Sequence, residues 1–172
     1  MAARIQEAKL TGFSACSSRL EARAESYEEA FEGNRHRVYS LAFWMTDNEL
    51  AAEELTISTF CRAFGLNPNP DAESVDRALV AELRELMPIG PLTLQCDPCA
   101  QVAGLRRNAK RVELERAVVQ LPATERMIFL LHDVERREHA LIGRILGLSV
   151  QESAYGLHQA RLRLREILAA LA

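Results

Sequence analysis

The sequence predicts an all-α protein made of two small helical domains joined by a linker, the second domain containing a helix-turn-helix. Apolar residues recur at three- and four-residue spacing through most of the 172 residues, which is the period of an amphipathic helix. The 6 prolines fall between these periodic segments rather than inside them. A chain of this length buries about 70% of its unfolded surface, so we expect a core that needs no disulfide or metal.

Three amphipathic helices are predicted in the N-terminal half, over about residues 18–45, 46–64 and 71–87. Residues 1–17 are expected to be loosely ordered. Thr46 and Glu49 have the spacing of a capping box and predict the start of the second helix. The apolar stripe of the second helix comprises Ala52, Leu55, Thr59, Phe60 and Ala63, and that of the third comprises Val75, Leu79, Leu83 and Leu86.

The segment from Pro88 to Gly104 is rich in proline and glycine and has no periodicity, so it is the predicted linker. It divides the chain into a domain over residues 1–87 and a domain over residues 105–172. Four helices are predicted after it: one ending at Leu121, one over about 123–133, one over 139–146, and a long final helix. The stripe assigned to that last helix is Val150, Ala154, Leu157, Ala160, Leu164, Leu168 and Leu171.

A turn between the last two helices has the pattern of a helix-turn-helix. Gly147 suits the left-handed residue that ends the short helix, and Ser149 with Glu152 forms a capping box that begins the long one. An ordinary helical hairpin in a bundle fits this pattern too, so spacing alone leaves both interpretations open.

Two stretches carry more specific motifs. The C-terminal one reads Leu121-Pro122-x-x-x-Arg126, Phe129-Leu130-Leu131, Ile142-Gly143-x-Ile145-Leu146-Gly147-Leu148-Ser149-Val150 and Leu157-His158-x-Ala160-Arg161-x-x-Leu164. The N-terminal one reads Arg37-Val38-Tyr39-x-Leu41-Ala42, Ala52-Glu53-Glu54-Leu55-Thr56 and Phe60-x-Arg62-Ala63-Phe64. Over roughly residues 26–64 and 112–168, the chain resembles the second and fourth conserved regions of extracytoplasmic-function sigma factors, in the order of that family.

The resemblance implies a protein that binds core RNA polymerase and directs transcription initiation at specific promoters. It implies polymerase contacts by Asp47, Glu53, Glu54 and Arg62, because an acidic helix pairs with an arginine-rich partner helix. It implies DNA contacts by residues of the final helix: Gln151, Tyr155, His158, Gln159, Arg161, Arg163 and Arg165. An anti-sigma factor is a further implied partner.

Two departures from the family pattern predict weakened DNA binding. Residues 71–87 hold five acids against Arg77 and Arg84 and no aromatic residue, so we expect this helix to repel the DNA strand that the family separates there. The final helix has Ala154, Gly156 and Gln159 where the family commonly carries a lysine and two arginines. The alternative function is therefore a sigma-like decoy or adaptor that binds polymerase or an anti-sigma factor with weak or no promoter binding.

The cysteines and histidines do not predict a catalytic or metal site. Cys96 and Cys99 have metal-ligand spacing, which Cys16 and Cys61 could complete, but an inert or redox-active thiol pair is the preferred interpretation. A redox sensor built on the sigma scaffold is the third hypothesis. The four histidines are scattered, and we expect no enzyme activity, cofactor or metal. With no run of about 18 apolar residues, the chain is expected to be cytoplasmic, without membrane insertion.

Overall fold

The structure is a computed structural model that describes the backbone of residues 2–96 and 111–170 and the side chains of residues 20–96 and 111–170. Within these ranges the chain forms seven α-helices and no strand, which confirms the predicted fold class. The helices are α1 (Ala2–Thr46), α2 (Glu49–Leu66), α3 (Ala72–Leu86), α4 (Arg111–Val119), α5 (Ala123–Phe129), α6 (His139–Leu146) and α7 (Val150–Ala170). A π-helical segment, Leu130–Val134, continues α5.

The start of the chain and the turn into α2 differ from the sequence expectation. α1 begins at Ala2 rather than near Ser18, because residues 2–17 are rich in alanine and other strong helix formers and contain no proline. The predicted capping box of Thr46 and Glu49 is wrong. Asp47 takes a left-handed conformation (φ 53°), and Asn48 becomes the cap by accepting a 2.9 Å hydrogen bond from the Ala51 backbone nitrogen.

The apolar stripes were predicted well for α2 and less well for α3 and α7. All five residues assigned to the inner face of α2 are buried. On α3, Leu86 is 61% exposed, because it lies in the last turn, where the helix ends. On α7, Val150 and Ala154 are exposed, and Ser153 and Gly156 take their places on the buried face.

One hydrophobic core runs through both halves of the chain. Helix α3 packs on α1 and α2 along one side and contacts α6 along another, while the end of α1 contacts α4 and α5. Val75, Leu79 and Leu83 of α3 therefore belong to the same cluster of buried side chains as Ile142 and Leu146 of α6. The predicted domain division at residues 88–104 remains a prediction, and residues 97–104 of that linker lie outside the described range.

None of the helices in the part of the chain that the structure describes combines the length and the apolar character that a membrane crossing requires.

Candidate nucleic-acid and protein interfaces

The helix-turn-helix has the predicted local geometry. α6 ends on Gly147, whose φ of +74° lies in the left-handed region that favours glycine. Ser149 Oγ accepts a 3.1 Å hydrogen bond from the Glu152 backbone nitrogen, and Glu152 Oε2 accepts a 2.7 Å bond from the Ser149 backbone nitrogen, so this capping box is confirmed. A Cβ at Gly143 would lie 2.5 Å from the Leu148 carbonyl oxygen, so the close turn requires glycine there as well.

Five of the seven residues assigned to DNA lie on the exposed side of α7. At 100° per residue, Gln151, Tyr155, His158 and Arg165 follow one line along the helix, and Arg161 lies beside it. All five are exposed. Arg161 is held in a two-point ion pair with Asp133, at 2.6 and 3.0 Å, whereas Arg165 makes no ion pair with any described residue.

The other two assigned residues lie on a different side of α7. Gln159 is only 5% exposed, and its Oε1 accepts a 2.6 Å hydrogen bond from the Cys96 backbone nitrogen. Arg163, one turn further on, pairs with Glu166 at 2.9 Å and lies on the same side as Cys96. In this arrangement Gln159 is not accessible to DNA, because the segment that ends at Cys96 packs over it. A sequence pattern cannot reveal this, since the covering segment has no periodicity.

The candidate polymerase surface is the outer face of α2. Glu53 and Glu54 are exposed and form no ion pair with the described residues. Leu50 and Ile57 are 66% and 65% exposed, so this acidic face also carries an apolar flank. Such a face is suited to a partner helix that combines arginines with apolar side chains. Asp47 is exposed at the turn that precedes α2.

Arg62, the fourth residue assigned to polymerase, is engaged within the protein. It pairs with Glu82 and, at 2.6 Å, with Glu85, both on α3. The hydrogen bond that Arg62 donates to the Glu82 carboxylate raises the pKa of Arg62 above its ordinary value. Arg62 therefore joins α2 to α3 and partly neutralises α3.

The remaining acids of α3 are also used inside the fold. Asp71 caps α3 by accepting from the Ser74 backbone nitrogen at 2.8 Å, and Glu73 pairs with Arg144 of α6 at 3.1 Å. Asp76 is 1% exposed and forms ion pairs with Arg37 and, at 3.5 Å, with Arg137. Burial raises the pKa of Asp76, and the two arginines oppose that rise. The expectation that residues 71–87 present an acidic surface that repels DNA is therefore wrong. Arginines from other elements of the chain neutralise most of the negative charge of this segment.

A histidine cluster lies beside the helix-turn-helix. The rings of His132 and His139 stack with their centroids 4.5 Å apart. His132 Nδ1 lies 2.9 Å from Asp133 Oδ1, and His139 Nδ1 lies 3.0 Å from Ser153 Oγ of α7. Burial lowers the pKa of His139, and the neighbouring charges of His132 and Arg161 lower it further, whereas Asp133 opposes the shift.

This geometry predicts a loss of stability in mild acid. Because folding lowers the pKa of His139, the unfolded chain binds more protons, and the free energy of unfolding should fall as the pH drops below about 6.5. Urea titrations at pH 7.5 and pH 5.5 measure the free energy of unfolding at each pH. The difference between the two values should be smaller in His139→Gln than in the wild-type protein. The control is His36→Gln on the exposed side of α1, which should keep the wild-type pH dependence. An unchanged pH dependence in His139→Gln would contradict this assignment.

Only part of the predicted thiol site lies within the described residues. Cys61 is a free, exposed thiol, and burial raises the pKa of the half-buried Cys96 thiol. The described residues contain no group of three or more histidine, cysteine or acidic side chains with metal-binding geometry. Cys99 and the basic residues 106, 107 and 110 lie outside the described range, and the side chain of Cys16 does as well. The half-buried Trp44 packs against the core.

The fold and its turn define an all-helical structure, over the described residues, with a C-terminal helix-turn-helix. The family model for Sigma-70, region 4, matches residues 111–164. Among solved structures, the fold is similar to that of the sigma factor RpoE in complex with the anti-sigma factor NepR from Bartonella quintana, with a TM-score of 0.65 and 14% sequence identity. The match covers 84% of this chain and 97% of that one. No curated protein matches the chain in sequence.

Residues 111–164 therefore match sigma-70 region 4, and the fold of the chain is similar to that of a sigma factor. The matched region confirms the sequence resemblance to sigma region 4 over these residues, and the similar structure agrees with the predicted all-helical fold.

Proposed function

We propose that this chain is a cytoplasmic sigma factor that binds core RNA polymerase through α2 and recognises promoter DNA through α7. The observation that carries the proposal is the outer face of α7, where Gln151, Tyr155, His158 and Arg165 are exposed beyond a correctly formed helix-turn-helix. Glutamine side chains read base edges in the major groove, and arginines contact phosphates or guanine. In this proposal the domain over residues 1–87 binds polymerase and the domain over residues 105–172 binds DNA. Residues 88–104 form the linker between them.

The polymerase half of the proposal depends on the exposed acids of α2. Reversing Glu53 and Glu54 to lysine should weaken core polymerase binding at least tenfold, because like charges across an interface oppose association. Both side chains are exposed, so helical circular dichroism should not change. The control is Glu28→Lys with Glu29→Lys on the exposed side of α1, which makes the same change of charge away from α2. Unchanged affinity in the α2 variant would remove this surface from the proposal.

The alternative is a sigma-like decoy or adaptor, and a specific observation favours it. The amide of Gln159 is occupied by a contact within the protein, so it is not free to read DNA in this arrangement. The similar structure is a sigma factor bound to an anti-sigma factor, so a protein partner of that kind fits this alternative.

One reconstitution separates the two functions. The chain is combined with core polymerase, and binding to the core is measured separately from open-complex formation on genomic promoter fragments. A sigma factor gives both signals. Core binding without promoter opening would establish the decoy that binds polymerase, and the absence of both signals would refute the sigma factor and this decoy alike.

A further inference from the structure

The segment that follows α3 lies across the C-terminal half in an extended conformation. Residues 89–96, named the strap here, contain no helix or strand. The strap crosses α5 and then α7, and Ile89 at its start is buried. Its position is unexpected for a flexible linker, which would remain solvated rather than packed against a helix pair.

Four backbone nitrogens of the strap donate to side chains of α5 and α7. Gly90 N donates to Thr124 Oγ1 at 2.9 Å, and Cys96 N donates to Gln159 Oε1 at 2.6 Å. Between them, the backbone nitrogens of Thr93 and Leu94 both donate to Glu125 Oε1, the second at 2.7 Å. A strap held at this many backbone positions has a fixed register on the two helices.

The receiving side chains are buried, which shows that the strap is integral to the fold. Thr124, Glu125 and Gln159 are 1%, 0% and 5% exposed. Within the described residues, every hydrogen bond to the Glu125 carboxylate comes from Thr93 or Leu94. A carboxyl group is costly to bury without hydrogen-bond partners, so Glu125 depends on the strap for its hydrogen bonds.

An apolar contact lies between the polar ones. A Cβ at Gly156 of α7 would lie 2.7 Å from Leu92 Cδ2 of the strap and 2.7 Å from Ile128 Cδ1 of α5. The absence of a side chain at position 156 therefore gives Leu92 its place between α5 and α7. The sequence comparison placed this glycine on the DNA-facing side of the final helix, where it would weaken DNA binding. Gly156 is buried instead, so that assignment is wrong.

We propose that α5 and α7 form a peptide-binding groove whose occupant is the chain's own strap. Leu92 is the apolar anchor of this occupant, Gly156 provides the space for it, and Glu125 and Gln159 fix the backbone on either side. Gln159 thus binds the linker rather than DNA. The groove ties the end of α3 to the helix-turn-helix domain, and this role holds whether or not the chain binds a promoter.

Hydrogen exchange at the strap amides tests the proposal in the full chain. The amides of Thr93, Leu94 and Cys96 should be protected in the wild-type protein. Gly156→Ala should accelerate their exchange severalfold, because the new methyl group lies 2.7 Å from Leu92 Cδ2 and that side chain must shift. The same change raises the helix propensity of α7, so amides in the middle of α7 should stay protected. The matched control is Gly33→Ala in α1, where no atom lies within 4 Å of the added Cβ.

Two further variants make the test decisive. Leu92→Ala combined with Gly156→Ala should recover much of the protection, since the smaller strap residue accommodates the methyl group. Leu92→Ser removes the anchor without steric conflict and should accelerate exchange on its own. The proposal is overturned if the three amides exchange at unprotected rates in the wild-type protein, or if Leu92→Ser leaves their protection unchanged.

Discussion

Replacing Arg37 with methionine is expected to lower the free energy of unfolding by about 3–5 kcal/mol, the cost of removing one partner from a buried ion pair. Asp76 is 1% exposed, and Arg37 supplies its closest positive charge. Methionine keeps most of the apolar volume of the arginine side chain, so the loss reports the charge rather than a cavity. Arg137, at 3.5 Å from Asp76, cannot replace the lost hydrogen bond without moving.

Chemical denaturation at neutral pH measures this loss, and the control is Arg77→Met. Arg77 pairs with Glu73 at 2.7 Å, but its side chain is 55% exposed. Surface pairs of this kind contribute roughly 0–1 kcal/mol, so the control should unfold almost as the wild-type protein does. Equal losses in the two variants would show that the Asp76 cluster is no more important than a surface pair.

A second large effect is expected at Arg126. Its guanidinium donates to backbone carbonyls of Met45, at 2.9 Å, of Leu121, at 2.8 Å, and of Val119. It thereby joins the end of α1 to the turn between α4 and α5. Arg126→Met leaves these carbonyls without their donor, and the loss of several partly buried hydrogen bonds should lower the free energy of unfolding by roughly 2–4 kcal/mol.

The matched change for this prediction is Arg116→Met, on the exposed side of α4. It removes the same charge from a neighbouring helix and should alter stability by less than about 0.5 kcal/mol. Thermal unfolding of both variants followed by circular dichroism provides the comparison. A loss in Arg126→Met no greater than that in the control would mean that water satisfies these carbonyls equally well.

The sequence predicted local structure better than it predicted exposure. The turn from α6 into α7 was correctly anticipated because Gly147, Ser149 and Glu152 act on their immediate neighbours. The end of α1 was not, because Thr46 and Asn48 are both acceptable caps, and the left-handed Asp47 decides between them. Cap preferences alone cannot make that choice.

The candidate surfaces were predicted only where they depend on one helix. The exposure of Glu53 and Glu54 follows from the apolar period of α2, which the sequence shows. The burial of Gln159 and Gly156 depends on a segment about 60 residues away, which no helical period encodes. The net charge of α3 also gave a wrong prediction of its surface. The arginines that neutralise the acids of α3 belong to α1, α2 and α6 and to the loop that precedes α6.

The neutralised helix α3 also limits how this protein can diverge. A substitution that reverses the charge of the buried Asp76 leaves Arg37 of α1 beside a like charge, so it is tolerated only with a compensating change at that arginine. Sequences related to this protein should therefore carry paired replacements, one in α3 and one in an element that supplies an arginine to it. An unpaired reversal at Asp76 would remain rare, since selection removes variants that fall below the stability needed to function.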